Sequence, residues 1–289
     1  MDDISVKALG KINLGLDVLR RRADGYHEVR MIMQTVHLHD RLHIEKTEEG
    51  IHIETNLKFL PTDSGNLAYR AAALLQEEFH LKEGVHISLH KKIPVAAGMA
   101  GGSTDAAGVL YGMNQLYELG LSRRELMERG SRLGADVPYC LMRGTALAEG
   151  IGEKLTALPP MVKCPVIIAK PPINVSTKYV YENLVLDERT IHPDIDQLMK
   201  GIAAQDMQTI ALHMGNVLES VTIHKYPEIA QIKEVLLAAG AVNAMMSGSG
   251  PSVFALFDQI QTARAAMEKI LESGLAKQVF LTDIYNNRR

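Results

Sequence analysis

The chain of 289 residues reads as an α+β protein of two domains. Three observations predict this. Apolar residues alternate along most of the first 55 positions, as in strands with one buried face. Beyond Pro165, helical apolar spacing mixes with short strand-like runs, and helices on one face of a mostly antiparallel sheet give α+β architecture. Pro159, Pro160 and Pro165 cluster between the two halves, which places a boundary there and predicts domains at 1–160 and 161–289.

Composition narrows the class. With 46% hydrophobic and 22% charged residues, the chain can bury two sizeable cores and is neither disordered nor fibrous. A formal net charge of −3 argues against a surface that coats nucleic acid, leaving local anion sites possible. Cys140 and Cys164 are too far apart for a Cys-x-x-Cys pair, so neither a disulfide framework nor a zinc site is expected. The sequence begins Met-Asp-Asp rather than with a basic segment and an apolar core, so no targeting segment is expected, and no apolar run approaches the ~18 residues of a membrane span. The expectation is a soluble cytoplasmic protein with no nucleic-acid or membrane partner.

Taken in order, 4–18 is a strand with Ile12, Leu14, Leu16 and Val18 on its inner face. Lys11 and Asn13 share the other, accessible face, where they could hold an anion or simply be solvated. Asp24-Gly25 is a turn, and Tyr26 and His27 follow it. A ring that can stack and an imidazole that can bond a base edge fit a base pocket, and equally an ordinary hairpin end. Residues 29–55 continue as a β-meander. Its His37, His39 and His43 fall at even spacing on the polar face and are not read as metal ligands.

Asn66 caps a helix reaching about Phe79, and 85–91 is a strand. That strand feeds the run Pro94-Val95-Ala96-Ala97-Gly98-Met99-Ala100-Gly101-Gly102-Ser103-Thr104. Gly98, Gly101 and Gly102 allow positive φ and close approach of backbone to a ligand, and Ser103 and Thr104 introduce an Ala-rich helix. Glycines before a helix N-terminus make a cradle for a polyphosphate, although three glycines alone also suit a plain strand-to-helix turn. The spacing lacks the Gly-Lys-Ser/Thr ending of a P-loop and the acidic partner of a dinucleotide fingerprint.

Ser122-x-x-Glu125 is a capping box opening a helix to Leu133. Asp136 follows among small and apolar residues, at a bend, as a candidate base or a helix cap. Strands are expected at 145–148 and 166–170. Helices follow at 195–202, 207–218, 228–239 and 263–271, with strands at 245–246, 253–257 and up to Ile284. Ser247-Gly248-Ser249-Gly250-Pro251 is a second glycine-rich turn, weak by itself.

Lys11-Ile-Asn-Leu, the Pro94–Thr104 run with Asp-Ala-Ala after it, and Ser247-Gly-Ser-Gly-Pro-Ser-Val-Phe occur in the order of the three motifs of the GHMP small-molecule kinases, and the chain resembles that family over its whole length. The resemblance implies a first domain like domain 2 of ribosomal protein S5 and a ferredoxin-like second domain, with the active site between them. It implies ATP and nucleotide-borne Mg²⁺ as cofactors, and no protein-held metal. The phosphates would lie along Pro94–Thr104, with Asn66 and Lys92 near the adenine; Lys11 and Asp136 would be catalytic.

Asp-Gly-Tyr-His-Glu, Gly-Ala-Asp-Val-Pro and Val175-Ser-Thr look like the branch of that family that phosphorylates the 2-hydroxyl of a methylerythritol carrying cytidine diphosphate, in isoprenoid precursor synthesis. Asn13, Tyr26, His27, Asp136, Thr177 and Tyr181 would then bind the acceptor, with cytosine between Tyr26 and Tyr181 and its edge at His27. A homoserine or mevalonate kinase, or a silent nucleotide binder, is the alternative, and a monomer or homodimer is expected. Leu9-Gly10, Met99 and Thr104 depart from the usual motif residues without removing a proposed catalytic group; Gly10 could loosen the strand that carries Lys11, an effect the sequence leaves open.

Overall fold

A computed structural model describes residues 2–287. The described residues divide into two compact units that do not follow one cut in the sequence: residues 2–10, 38–95 and 100–142 form the first, and 11–37, 96–99 and 143–287 the second.

In the first unit, parts of β1 (Asp3–Arg21) and β2 (His27–Thr47) stand beside β4 (Gly84–His90) and β3 (Ile51–Thr55), in the order β3-β4-β2-β1. The expected meander is not formed. β2 is a single strand of 21 residues, and the chain then crosses over so that β3 pairs with β4 in parallel, Ile51 opposite Val85 and Thr55 opposite Leu89. Alternation marks each strand's period but carries no information about its partner, so a meander and a crossover read alike.

α1 (Leu67–Glu78) begins at Asn66, whose Oδ1 accepts the Ala68 N–H at 2.9 Å. α2 (Gly101–Leu116) is buried over most of its length and packs on α1. A Cβ at Gly108 would run into Leu42 of β2, so the bare backbone lets α2 lie close to the sheet. α3 (Arg123–Ser131) carries the predicted capping box between Ser122 and Glu125, and the short α4 (Val137–Met142) packs on α2 and α3.

The second unit contains the remainder of β1 and β2 with β5 (Thr145–Gly150), β6 (Lys154–Ala157) and β8 (Gly215–Asn216). β5 pairs antiparallel with β2, from Val29 opposite Gly150 to Gln34 opposite Thr145; β8 pairs in parallel with β1 at Gly15 and Leu16. A separate antiparallel sheet has the order β11-β7-β10-β9, formed by β7 (Pro165–Lys170), β9 (Asn243–Met246), β10 (Val253–Leu256) and β11 (Gln278–Asp283). α9 (Glu228–Ala238) and α10 (Ile260–Glu272) pack against it.

Four further helices complete this unit: α5 (Thr177–Glu182), α6 (Ile195–Ala204), α7 (Met207–His213) and α8 (Glu219–Lys225). The helix expected over 207–218 stops at His213, because Gly215 and Asn216 leave the helical pattern to pair with β1, and α8 follows as a separate helix. No helix among the described residues is long and apolar enough to cross a membrane.

Candidate active site

The glycine-rich run joins β4 to α2, as the spacing predicts, but its conformation is distributed differently. Positive φ falls at Ala96 (50°), Gly98 (73°) and Ala100 (57°), whereas Gly101 and Gly102 already belong to α2. Ala100 is therefore the residue that enters the helix, in the left-handed region, and no side chain caps that end. Ser103 and Thr104 do not introduce the helix; they lie in its first turn. Thr104 spends its hydroxyl on the Leu9 carbonyl at 2.7 Å, so it cannot serve as an N-cap. An uncapped N-terminus aims its first-turn N–H groups outward with the positive end of the helix dipole, which is the chemistry a phosphate needs. Asn66 and Lys92 are occupied locally. Asn66 Nδ2 donates to Pro61 O at 2.8 Å while its Oδ1 caps α1, and the Lys92 N–H donates to Asp40 Oδ1, leaving the exposed Lys92 side chain at the surface.

Within the second unit, Gly98 lies against the turn between β9 and β10. Ser247 Oγ donates to Gly98 O at 2.9 Å, and a Cβ on Gly98 would overlap the Ser247 carbonyl oxygen. The weak Ser247–Pro251 signal thus marks a turn that the glycine loop packs upon. Asn216 fastens the same turn, with Nδ2 donating to Met246 O and Gly248 O at 2.9 and 2.8 Å.

Lys11 and Asn13 correct an expectation. The face they share is not accessible: Lys11 is 5% exposed and Asn13 is fully buried. Lys11 Nζ donates to Asn13 Oδ1 at 2.7 Å, and the Lys11 N–H donates to Met99 O at 3.2 Å. A buried ammonium held by one neutral amide keeps donors to spare for an anion. Nor does Gly10 loosen the strand, since β1 runs through it without a break.

Asp136, in the first unit, directly precedes α4 and is half-buried, with its carbonyl accepting the Cys140 N–H at 3.0 Å. The bend expected there is present.

His27 and Tyr181 come together across 154 positions of sequence, ring centroids 5.1 Å apart and tilted by 38°. They line a cavity of about 390 Å³ with Arg20, Arg21, Leu184 and Leu186. Burial, with the Arg21 charge adding to it, lowers the His27 imidazolium below its ordinary value, so the ring is neutral at pH 7 and can both donate and accept. Tyr26 is not among the lining residues and is 61% exposed. Thr177 opens α5, and its Oγ1 hydrogen-bonds Ser249 Oγ at 2.8 Å. Sequence reading missed Arg20 and Arg21 at this cavity, although the triplet Arg20-Arg21-Arg22 is a visible signal. It also missed Asp40 and Lys91 beneath α2, which nothing in the local pattern marks. Among the described residues no group of three or more His, Cys, Asp or Glu side chains could hold a metal.

The model of the GHMP kinases N terminal domain matches residues 66–144, and that of the GHMP kinases C terminal matches 198–274. A 4-diphosphocytidyl-2-C-methyl-D-erythritol kinase of Lachnospira eligens is 54% identical over 286 residues, 99% of each chain. One from Lachnoclostridium phytofermentans is 54% identical over 289 residues, 100% of this chain and 99% of that one. A crystal structure of 4-(cytidine 5'-diphospho)-2C-methyl-D-erythritol kinase superposes with a TM-score of 0.85 at 32% identity, covering 98% of this chain and 100% of that one. The chain belongs to the GHMP kinases and, within them, to the 4-diphosphocytidyl-2-C-methyl-D-erythritol kinase family.

Proposed function

We propose that the protein transfers the γ-phosphoryl group of ATP to the 2-hydroxyl of 4-diphosphocytidyl-2-C-methyl-D-erythritol. The observation that carries this reading is similarity at 54% identity, end to end, to a relative bearing that name. The site geometry fits it. The uncapped N-terminus of α2, entered through three left-handed residues, suits a polyphosphate. Bound ATP supplies the phosphoryl group, and its Mg²⁺ neutralises charge on the phosphates.

Each of the chain's own groups has a role in this reading. Phosphoryl transfer goes through a loose transition state, so positioning and charge stabilisation account for most of the catalysis. The loop from Pro94 to Thr104 holds the phosphates through backbone N–H groups. Asp136 orients the accepting hydroxyl and takes its proton. Lys11, pre-positioned by Asn13, stabilises negative charge as the oxygen attacks. At the other end of the acceptor, Tyr181 stacks on cytosine and neutral His27 bonds its edge, while Arg20 and Arg21 supply positive charge beside an anionic substrate. Thr177 contributes a polar contact, and Asn66 and Lys92 border the adenine. The domain division at about 160 belongs to the same reading; it falls in the interval between the two matched family models.

The test is ADP release by purified protein with Mg-ATP and a panel of acceptors. Turnover with the cytidine substrate alone is expected. Turnover only with homoserine or mevalonate would keep the phosphate loop and discard the base pocket.

A further inference from the structure

Beneath the first turn of α2, three ionisable side chains lie together out of water. Lys91, the residue after β4, places its Nζ between Asp40 of β2 and Asp105 of α2, in contact with Asp40 Oδ2 and 2.6 Å from Asp105 Oδ2. None of the three side chains is more than 3% exposed. Asp40 is fully engaged, because its Oδ1 also accepts the N–H groups of Lys92 at 2.5 Å and Ile93 at 2.7 Å. Asp105 is not: its Oδ1 is buried without a hydrogen-bond partner.

We propose that Asp105 is a positioning residue for nucleotide binding, an uncharged acid that with Lys91 and Asp40 ties the first turn of α2 to the end of β4. The proposal rests on reading the loop as the phosphate site.

Charge balance leads there. Two carboxylates facing one ammonium would bury a net negative charge, which a site this dry disfavours strongly. One of the two must keep a proton. Asp40 has three donors on its two oxygens, so the proton falls to Asp105. Asp105 has a single donor; burial pushes its carboxyl well above the usual carboxylate range, with Lys91 offsetting part of that and Asp40 adding to it. On Lys91, burial acts downward, but Asp105 and Asp40 together raise the ammonium above its ordinary value. The cluster is neutral as Lys91⁺, Asp40⁻ and protonated Asp105.

Its location gives that neutrality a purpose. Asp105 is one residue past Thr104, so a full negative charge there would oppose a polyphosphate at the helix N-terminus. The ammonium also packs on the turn itself: a Cβ at Gly101 would stand 3.2 Å from Lys91 Nζ. Where the Gly101–Thr104 turn sits is therefore set by this cluster.

The experiment compares Mg-ATP binding by the full chain and its variants in calorimetric titration, with steady-state kinetics beside it. Asp105→Asn keeps the shape without a charge and is expected to bind within about twofold of the unaltered protein. Asp105→Ala is expected to bind at least about fivefold more weakly, with the KM for the acceptor unchanged in both. Infrared difference spectra at neutral pH should contain a carboxylic-acid C=O band that Asp105→Asn abolishes. Asp105→Ala binding at full affinity, Asp105→Asn binding as weakly as Asp105→Ala, or absence of the acid band would each overturn the proposal. If Asp105→Ala does not fold, Asp105→Asn and the infrared band decide. Unaltered protein that binds no Mg-ATP would instead overturn the phosphate-loop reading beneath it.

Discussion

Two residues illustrate how burial sets chemistry. Tyr181 and His27 meet at a cavity of about 390 Å³. Removing the Tyr181 ring is expected to raise the KM for the cytidine acceptor by about tenfold, from the worth of one base–aromatic stack, with the KM for ATP unchanged. Steady-state kinetics on Tyr181→Ala check this, and an unaltered acceptor KM would remove the stacking role. Asp105 gives a prediction about stability. Its folded carboxyl titrates above the unfolded one, so the folded state holds the extra proton. Stability from that proton is complete below the unfolded value of about 3.9 and is lost as pH rises toward the raised folded value. Asp105→Asn has no such proton to lose. Urea unfolding at a series of pH values should therefore show the variant gaining on the unaltered protein as pH rises from about 4, then levelling off; parallel curves would contradict this.

At the scale of elements, the glycine loop has two neighbours along the chain and in space. α2 carries its far end, and the β9–β10 turn packs on Gly98. A methyl group at Gly98 meets the Ser247 carbonyl, a backbone atom that cannot swing aside, and would have to adopt a φ of 73°. Gly98→Ala is expected to lose about 3 kcal/mol or more in urea unfolding, because the strain of a left-handed residue adds to the overlap. A loss under ~0.5 kcal/mol would mean that the loop and the turn do not pack as described. The helix starts were legible to different degrees. Asn66 and Ser122 announce theirs because a capping side chain acts within three residues. The start of α2 was misread by two residues, since Ser103 and Thr104 look like caps but Thr104 is used by Leu9, 95 positions earlier.

For the whole molecule, binding and chemistry should separate. Asp136→Ala is expected to lose at least about a thousandfold in kcat, the scale of a general base together with substrate positioning. Its stabilisation by Mg-ATP should persist, at about 2.7 kcal/mol with nucleotide at a hundredfold over Kd. Thermal unfolding with and without Mg-ATP, set beside turnover, checks both halves. Near-normal turnover would sink the role of Asp136, and loss of the thermal shift would make it a nucleotide-binding residue instead.

The sequence by itself determined the class of elements, most of their positions, the three family motifs and the cation, carboxylate and aromatic groups that the proposed reaction uses. Those are local properties: apolar period, capping chemistry, and the freedom of backbone at glycine and its neighbours. Tertiary structure alone decided that β3 pairs with β4 rather than continuing a meander, that Lys11 and Asn13 are buried, and that Lys91, Asp40 and Asp105 share one dry site. Asp40 and Lys91 lie 51 positions apart, and Asp105 is a further 14 along. Strand period is the same whichever partner a strand takes, and a charged side chain reads as solvated until the elements that cover it are assembled.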